Sequence, residues 1–179
     1  MGDESGAPIA GQLILIGVLT LLNAFFAASE MAMVSIDKKR LSNQAEDGNK
    51  KAKMLLTLLS EPSRFLSTIQ VGITFAGFFS SASAAVGISD DLGKVLAGLG
   101  IPFAKDVAFV GVTLILSYIT LVFGELVPKR VALQNAEKFA MFAIKPVRLV
   151  SRMMGPFVTF LSISTNTVMR LLGISSEGV

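Results

Sequence analysis

The residues that could do chemistry in this chain gather around one carboxylate. The stretch from Thr113 to Arg130, TLILSYITLVFGELVPKR, is apolar until it meets Gly124, Glu125 and Pro128. An ionisable side chain at the bilayer centre costs about 2.5–3.5 kcal/mol on insertion scales, and less near the interface. A helix keeps such a group when something binds its charge. Pro128 has no N–H, so the carbonyl of Gly124, four residues earlier, loses its helical partner. An acid beside a freed carbonyl is the beginning of an oxygen site for a hard cation. The same residues also read as a plain helix end, marked by glycine and proline, with an acid reaching for the headgroups. Both readings stand on this stretch alone.

Neutral oxygens recur at helical spacing elsewhere. On a 3.6-residue period Asn23, Ala27 and Glu30 share one face, and Ser29 points away from it. Ser67, Gln70, Thr74, Gly77 and Ser81 form a second stripe, and Thr113, Ser117, Thr120 and Gly124 a third. Polar and small residues on one side of a membrane helix face protein or a cavity rather than lipid. Close helix packing explains the small members as well, and Ala27, Ala28 and Ala32 suit a tight crossing. Gln70 is the member packing explains least. Tyr118, the single tyrosine, shares a face with Glu125.

Composition limits what these oxygens can hold. Of 179 residues, 52% are hydrophobic and 16% charged, and the mean hydropathy is +0.66. A soluble domain carries about 25% charged residues, so this is a membrane protein. The chain has no Cys and no His. That removes disulfides, thiolate metal sites, and the commonest general base and transition-metal ligand. A bound metal must be held by oxygen, which favours Mg²⁺, Ca²⁺, Mn²⁺ or Na⁺. No nucleophile–base pair is evident, so an enzyme is not expected.

The elements that must position these groups follow from charge-free runs. Residues 5–29, 65–89 and 107–124 carry no charge. About 20 apolar residues cross a bilayer, which predicts spans over roughly 9–36, 64–88 and 103–127. The N-terminus has Asp3 and Glu4 but no basic residue or small-residue cleavage site, so the first apolar segment reads as retained. Residues 37–63 read as a cytoplasmic helical hairpin broken at Gly48-Asn49, a solvated charged face rather than a nucleic-acid surface. Ile88 to Asp106, with Asp90, Asp91, Gly93, Gly98, Gly100 and Pro102, reads as a loop with at most one short helix. The connection 37–64 has seven Lys/Arg, the connection 88–106 has two, and the region after Glu125 has seven. The positive-inside rule then places the N-terminus outside and the C-terminal region in the cytoplasm of a multi-pass cell-membrane protein. Residues 139–172 are apolar but interrupted by Lys145-Pro146, Arg148, Arg152 and Gly155-Pro156. A bent amphipathic helix along the interface is preferred there over a fourth span. Residues 174–179 resemble linker. The expected class is an all-α membrane protein with three transmembrane helices and cytoplasmic-side juxtamembrane amphipathic helices.

Three blocks, NAFFAASEMAMVS (Asn23–Ser35), RFLSTIQVGITFAGFFSS (Arg64–Ser81) and LVFGELVPKRVAL (Leu121–Leu133), together resemble the CorC/CNNM family of magnesium transport proteins, whose membrane part is the DUF21 domain. The likeness runs from about Leu13 to Leu172. It implies three membrane helices with a juxtamembrane belt, a homodimer, and cytosolic CBS domains that bind ATP in several members; no CBS segment lies within these residues. It also implies Mg²⁺ transport, with Na⁺-coupled efflux as the favoured mechanism and the ion held between the helices by side-chain and main-chain oxygens.

Carried over by position, the family's Gly-Glu pair falls on Gly124 and Glu125, and its polar positions on the first span fall on Asn23 and Ala27. Ala27 cannot coordinate; Ser29 is the nearby hydroxyl. Many members have asparagines in the second span where GITFAG (Gly72–Gly77) stands here, so Gln70 and Thr74 are the substitutes. Glu125, Gly124, Asn23, Gln70, Thr74 and Ser29 are therefore the expected metal ligands, with Glu30 available to offset charge or hold Na⁺. The alternative is a membrane anchor and dimerisation module for the CBS domains, without transport of its own. A lytic pore is disfavoured, because no long amphipathic segment is present to refold into one.

Overall fold

The computed structural model describes residues 9–173, every regular element of which is helical. The expectations for the first eight residues and for the linker at 174–179 fall outside the described residues. Among the described residues nine α-helices follow one another: α1 (Ile9–Ser35), α2 (Lys38–Glu46), α3 (Lys50–Leu59), α4 (Pro62–Val86), α5 (Ile88–Gly98), α6 (Ala104–Leu121), α7 (Val127–Gln134), α8 (Ala136–Met153) and α9 (Gly155–Leu171). A π-helical turn, Val122–Leu126, joins α6 to α7. Three helical stretches among the described residues are long and apolar enough to cross a membrane: Ile9–Ser35, Arg64–Gly98 and Ala104–Gln134. The α9 helix, at 17 residues, is not among them.

The chain forms two compact units, one from residues 9–28 and 72–131, the other from 29–71 and 132–173. In the first unit, Ile16 of α1, Ala84 of α4 and Leu116 of α6 make a small apolar core, with Ile88 and Val112 against it. Gly72 lets α4 approach the ring of Phe26, which stands 2.9 Å from where a Cβ would lie. Large apolar side chains on the outer faces, among them Ile14, Leu21, Leu114 and Ile115, are exposed, as expected of helices solvated by lipid.

Two sequence expectations gain detail in this unit. Residues 88–98 form the one short helix allowed within 88–106. Asp90 and Asp91 lie in its first turn, where carboxylates suit the helix dipole, and Lys94 pairs with both at 2.9 and 3.1 Å. Gly93 is a packing residue, not a breaker: a Cβ there would stand 3.2 Å from the Lys105 backbone of α6. The third helical stretch runs on past Val127 to Gln134. In the π turn the Val127 N–H donates to the Val122 carbonyl, five residues back. This shift in hydrogen-bond register puts Pro128 in the first turn of α7, where a missing N–H costs nothing.

In the second unit α2 and α3 form a hairpin. Asp37 Oδ1 accepts from the N–H groups of Lys39 and Arg40 at 2.9 and 3.2 Å, and Asn49 Oδ1 from Lys51 and Ala52 at 3.0 and 3.3 Å. Gly48, at φ +92, turns the chain between them. Replacing Asn49 with Ala should lower stability by about 1 kcal/mol, the usual worth of such a cap, measurable by thermal unfolding in detergent. The hairpin and α8 bury Leu41, Leu55, Ala140, Ala143, Ile144 and Val147. Glu137 of α8 pairs with Arg40 at 3.0 Å and accepts from the Gln44 amide. The bent helix expected over 139–172 is a full break into α8 and α9 at Met154, because Gly155 and Pro156 cannot carry the α8 ladder onward.

Candidate cation site at the π turn

Each wall of the site comes from a different helix of the first unit. The α1 helix places Asn23; α4 places Thr74, Gly77 and Ser81 on one stripe; α6 places Ser117 and Thr120; the π turn places Glu125. Together with Ile73, Phe78 and Leu121 these residues line a cavity of about 370 Å³.

Asn23 lines it, and Gly124 lies against Asn23. Both are buried, and the Asn23 Nδ2 amide donates to the Gly124 carbonyl at 3.0 Å. That is the carbonyl Pro128 cannot serve. Because a carbonyl only accepts, the amide nitrogen must face it, and Oδ1 is turned elsewhere. Asn23 Oδ1 is buried and has no hydrogen-bond partner. A buried acceptor left unpaired costs about 1–3 kcal/mol. Gly124 must be small: a Cβ would lie 3.0 Å from Asn23 Nδ2 and 3.4 Å from the methyls of Thr20 and Thr120. A Gly124→Ala variant should therefore push the amide off its carbonyl and lower stability by about 1–3 kcal/mol, read by thermal unfolding.

Glu125 supplies the charge. It is half-buried, and its Oε1 accepts from Lys129 Nζ, one turn on, at 2.8 Å. Among the described residues no three acidic side chains converge. The donor set is one carboxylate, a primary amide oxygen and several hydroxyls. Such a set suits a hard cation that keeps part of its water, since 370 Å³ leaves room for hydration.

Of the six residues expected as ligands, Asn23, Thr74 and Glu125 line this cavity. Gly124 stands behind it, with its carbonyl taken by Asn23. Gln70 is exposed and Ser29 fully buried; both belong to the second unit and neither lines the cavity. Glu30 likewise belongs to the second unit. Ser81, Ser117 and Thr120 line the cavity without having been singled out, although each stood on a polar stripe in the sequence. The signal that finds them is the convergence of the second and third stripes on the helix carrying Asn23. Lys129 was also passed over; its i,i+4 spacing from Glu125 was the available clue.

Comparison with known proteins follows the same residues. Residues 13–179 match the family model described as the cyclin M transmembrane N-terminal domain. A UPF0053 protein of Synechocystis is 38% identical over 168 residues, covering 93% of this chain and 38% of that protein. A UPF0053 protein of Bacillus subtilis is 32% identical over 91% of this chain and 36% of its own length. A UPF0053 inner membrane protein of Escherichia coli is 30% identical over 87% of this chain and 34% of its own length. The chain thus spans little more than a third of the length of each of these three relatives.

Proposed function

This chain belongs to the cyclin M transmembrane-domain family, and from that premise we propose that it carries Mg²⁺ across the cell membrane through the cavity at the π turn. The observation that carries the proposal is Asn23, which lines the same cavity as Glu125 and whose buried Oδ1 has no hydrogen-bond partner. Mg²⁺ prefers six oxygens at about 2.0–2.1 Å and gives up water reluctantly. Glu125 and Asn23 act as the direct ligands, and Thr74, Ser81, Ser117 and Thr120 accept or donate to the ion's remaining waters. Lys129 pairs with Glu125 at 2.8 Å. Mg²⁺ entry displaces the ammonium, so the cavity exchanges one cation for another rather than holding a bare charge in hydrocarbon.

Efflux coupled to Na⁺ is the favoured direction. The N-terminus lies outside and the C-terminal region in the cytoplasm, on the Lys/Arg distribution; the inner-membrane relative in Escherichia coli supports a plasma-membrane location. The active form is a homodimer working with CBS domains of the longer protein. The chain is a transporter, not an enzyme. A second reading has one observation in its favour: Glu125 is already paired with Lys129 at 2.8 Å, as in a domain that only anchors and dimerises. Mg²⁺ titration of the purified chain separates the two, with Ca²⁺ and Na⁺ as comparators. Transport requires a saturable rise in Tm, equivalent to about 2.7 kcal/mol at a hundred times the Kd, and Mg²⁺ flux in proteoliposomes. Flat responses in both assays leave the anchor reading.

A further inference from the structure

In the second unit Arg64, Arg148 and Arg152 line one pocket of about 230 Å³. The fold brings them together. Arg148 and Arg152 lie one turn apart on α8 and share a face. Between them Ser151 is buried, its hydroxyl 3.4 Å from that of buried Thr68, which anchors this end of α8 to the first turns of α4. Thr68 in turn donates to the Arg64 carbonyl at 2.9 Å. The Arg64 guanidinium also reaches Gly155, where a Cβ would stand 3.6 Å from its Nη2. Gly155 opens α9, and a helix N-terminus adds positive potential.

Little on the protein answers this charge. Glu61 is the acid in the pocket lining, 3.5 Å from Arg64, and both side chains are more than half exposed. A pair so exposed is worth little. Among the described residues Arg148 and Arg152 have no acidic partner. Three cations against one carboxylate leave a net charge of +2 (3 − 1) in the pocket.

We infer that this pocket binds the phosphate of an anionic lipid headgroup at the membrane surface. Planar guanidinium groups grip phosphate oxygens in pairs. The depth is right for a lipid: Arg64 immediately precedes the charge-free run 65–89, so it stands where hydrocarbon gives way to headgroups. Leu58 and Phe65 line the same pocket and suit the glycerol end of the molecule. Basic pockets between helices at a membrane face hold lipid headgroups by this combination of charge and depth. A soluble phosphate shares the chemistry but has no use for the depth.

The test is a titration of short-chain phosphatidylglycerol onto the purified chain in neutral detergent, followed by thermal unfolding. Phosphatidylcholine of the same chain length and inorganic phosphate are the comparators. The expected result is a saturable rise in Tm with phosphatidylglycerol alone. Both arginines on α8 are exposed, so Arg148→Gln/Arg152→Gln should fold normally and raise the half-saturating concentration by about 30-fold, the factor expected of two basic residues at an anionic surface. Arg148→Lys/Arg152→Lys keeps the charge and should fall between the parent and the glutamine variant. Lys38→Gln/Lys39→Gln, on the exposed start of α2, should leave the titration unchanged. An unshifted titration in the glutamine variant, or an equal response to phosphatidylcholine, overturns the inference. An equal response to inorganic phosphate assigns the pocket to a soluble anion and overturns it too.

Discussion

Glu125→Gln should reduce Mg²⁺ flux in proteoliposomes to the level of protein-free vesicles and abolish the Mg²⁺-dependent rise in Tm. Glu125 is the one carboxylate in the cavity lining. At an effective dielectric near 20, a unit charge about 4 Å from a divalent ion contributes roughly 8 kcal/mol, twice the value for two unit charges. Dehydration of Mg²⁺ offsets much of this, so the surplus is what the mutation removes. A loss of roughly 100-fold or more in apparent affinity follows even if only a third of the Coulomb term survives. The amide also deprives Lys129 of the carboxylate 2.8 Å away, which raises the positive potential in the cavity and further repels the ion. Parental flux in this variant would remove Glu125 from the mechanism, and with it the role proposed for the cavity.

The second large effect is expected at Asn23, which does two things with one amide. Its Nδ2 satisfies the Gly124 carbonyl at 3.0 Å, and its Oδ1 is the orphan acceptor. Asn23→Leu nearly preserves volume but removes both functions. Stability without Mg²⁺ should fall by about 1–3 kcal/mol, the cost of taking the amide donor from a buried carbonyl. The Mg²⁺ response should vanish with the oxygen. Asn23→Asp separates the roles. It keeps an oxygen but loses the donor, so stability without Mg²⁺ should fall while Mg²⁺ still raises Tm. Thermal unfolding with and without Mg²⁺ reads all three proteins. A leucine variant that retains the parent's Mg²⁺ response would sink the coordinating role of this side chain.

The site was half legible before any coordinates. The conflict among Gly124, Glu125 and Pro128 pointed to an acid beside an unserved carbonyl. What no pattern indicated is that a side chain from a helix 101 residues away would serve that carbonyl. The same limit explains Gln70. It lies on the right stripe of α4, yet that helix changes units between Val71 and Gly72, and the cavity takes only the later members, Thr74, Gly77 and Ser81. A stripe states which residues share a face. It does not state where along its length the neighbouring helix stops. Gly93 was left ambiguous for a related reason, since a glycine that permits close helix packing and one that breaks a helix are identical until the neighbour is known.

What the sequence determined by itself is the solvent and the chemistry. Long charge-free runs demand helices, because backbone polar groups in hydrocarbon must be satisfied within their own segment, and the absence of His and Cys leaves oxygen as the only metal ligand. These are local or compositional properties, and no packing arrangement alters them. The tertiary structure decided which oxygens meet. It set the π turn that carries the chain past Pro128, gave the Gly124 carbonyl to Asn23, and left Oδ1 facing no donor. Those outcomes depend on helix-to-helix contact geometry at the scale of a single hydrogen bond, and a 3.6-residue period carries no information about the partner across the gap.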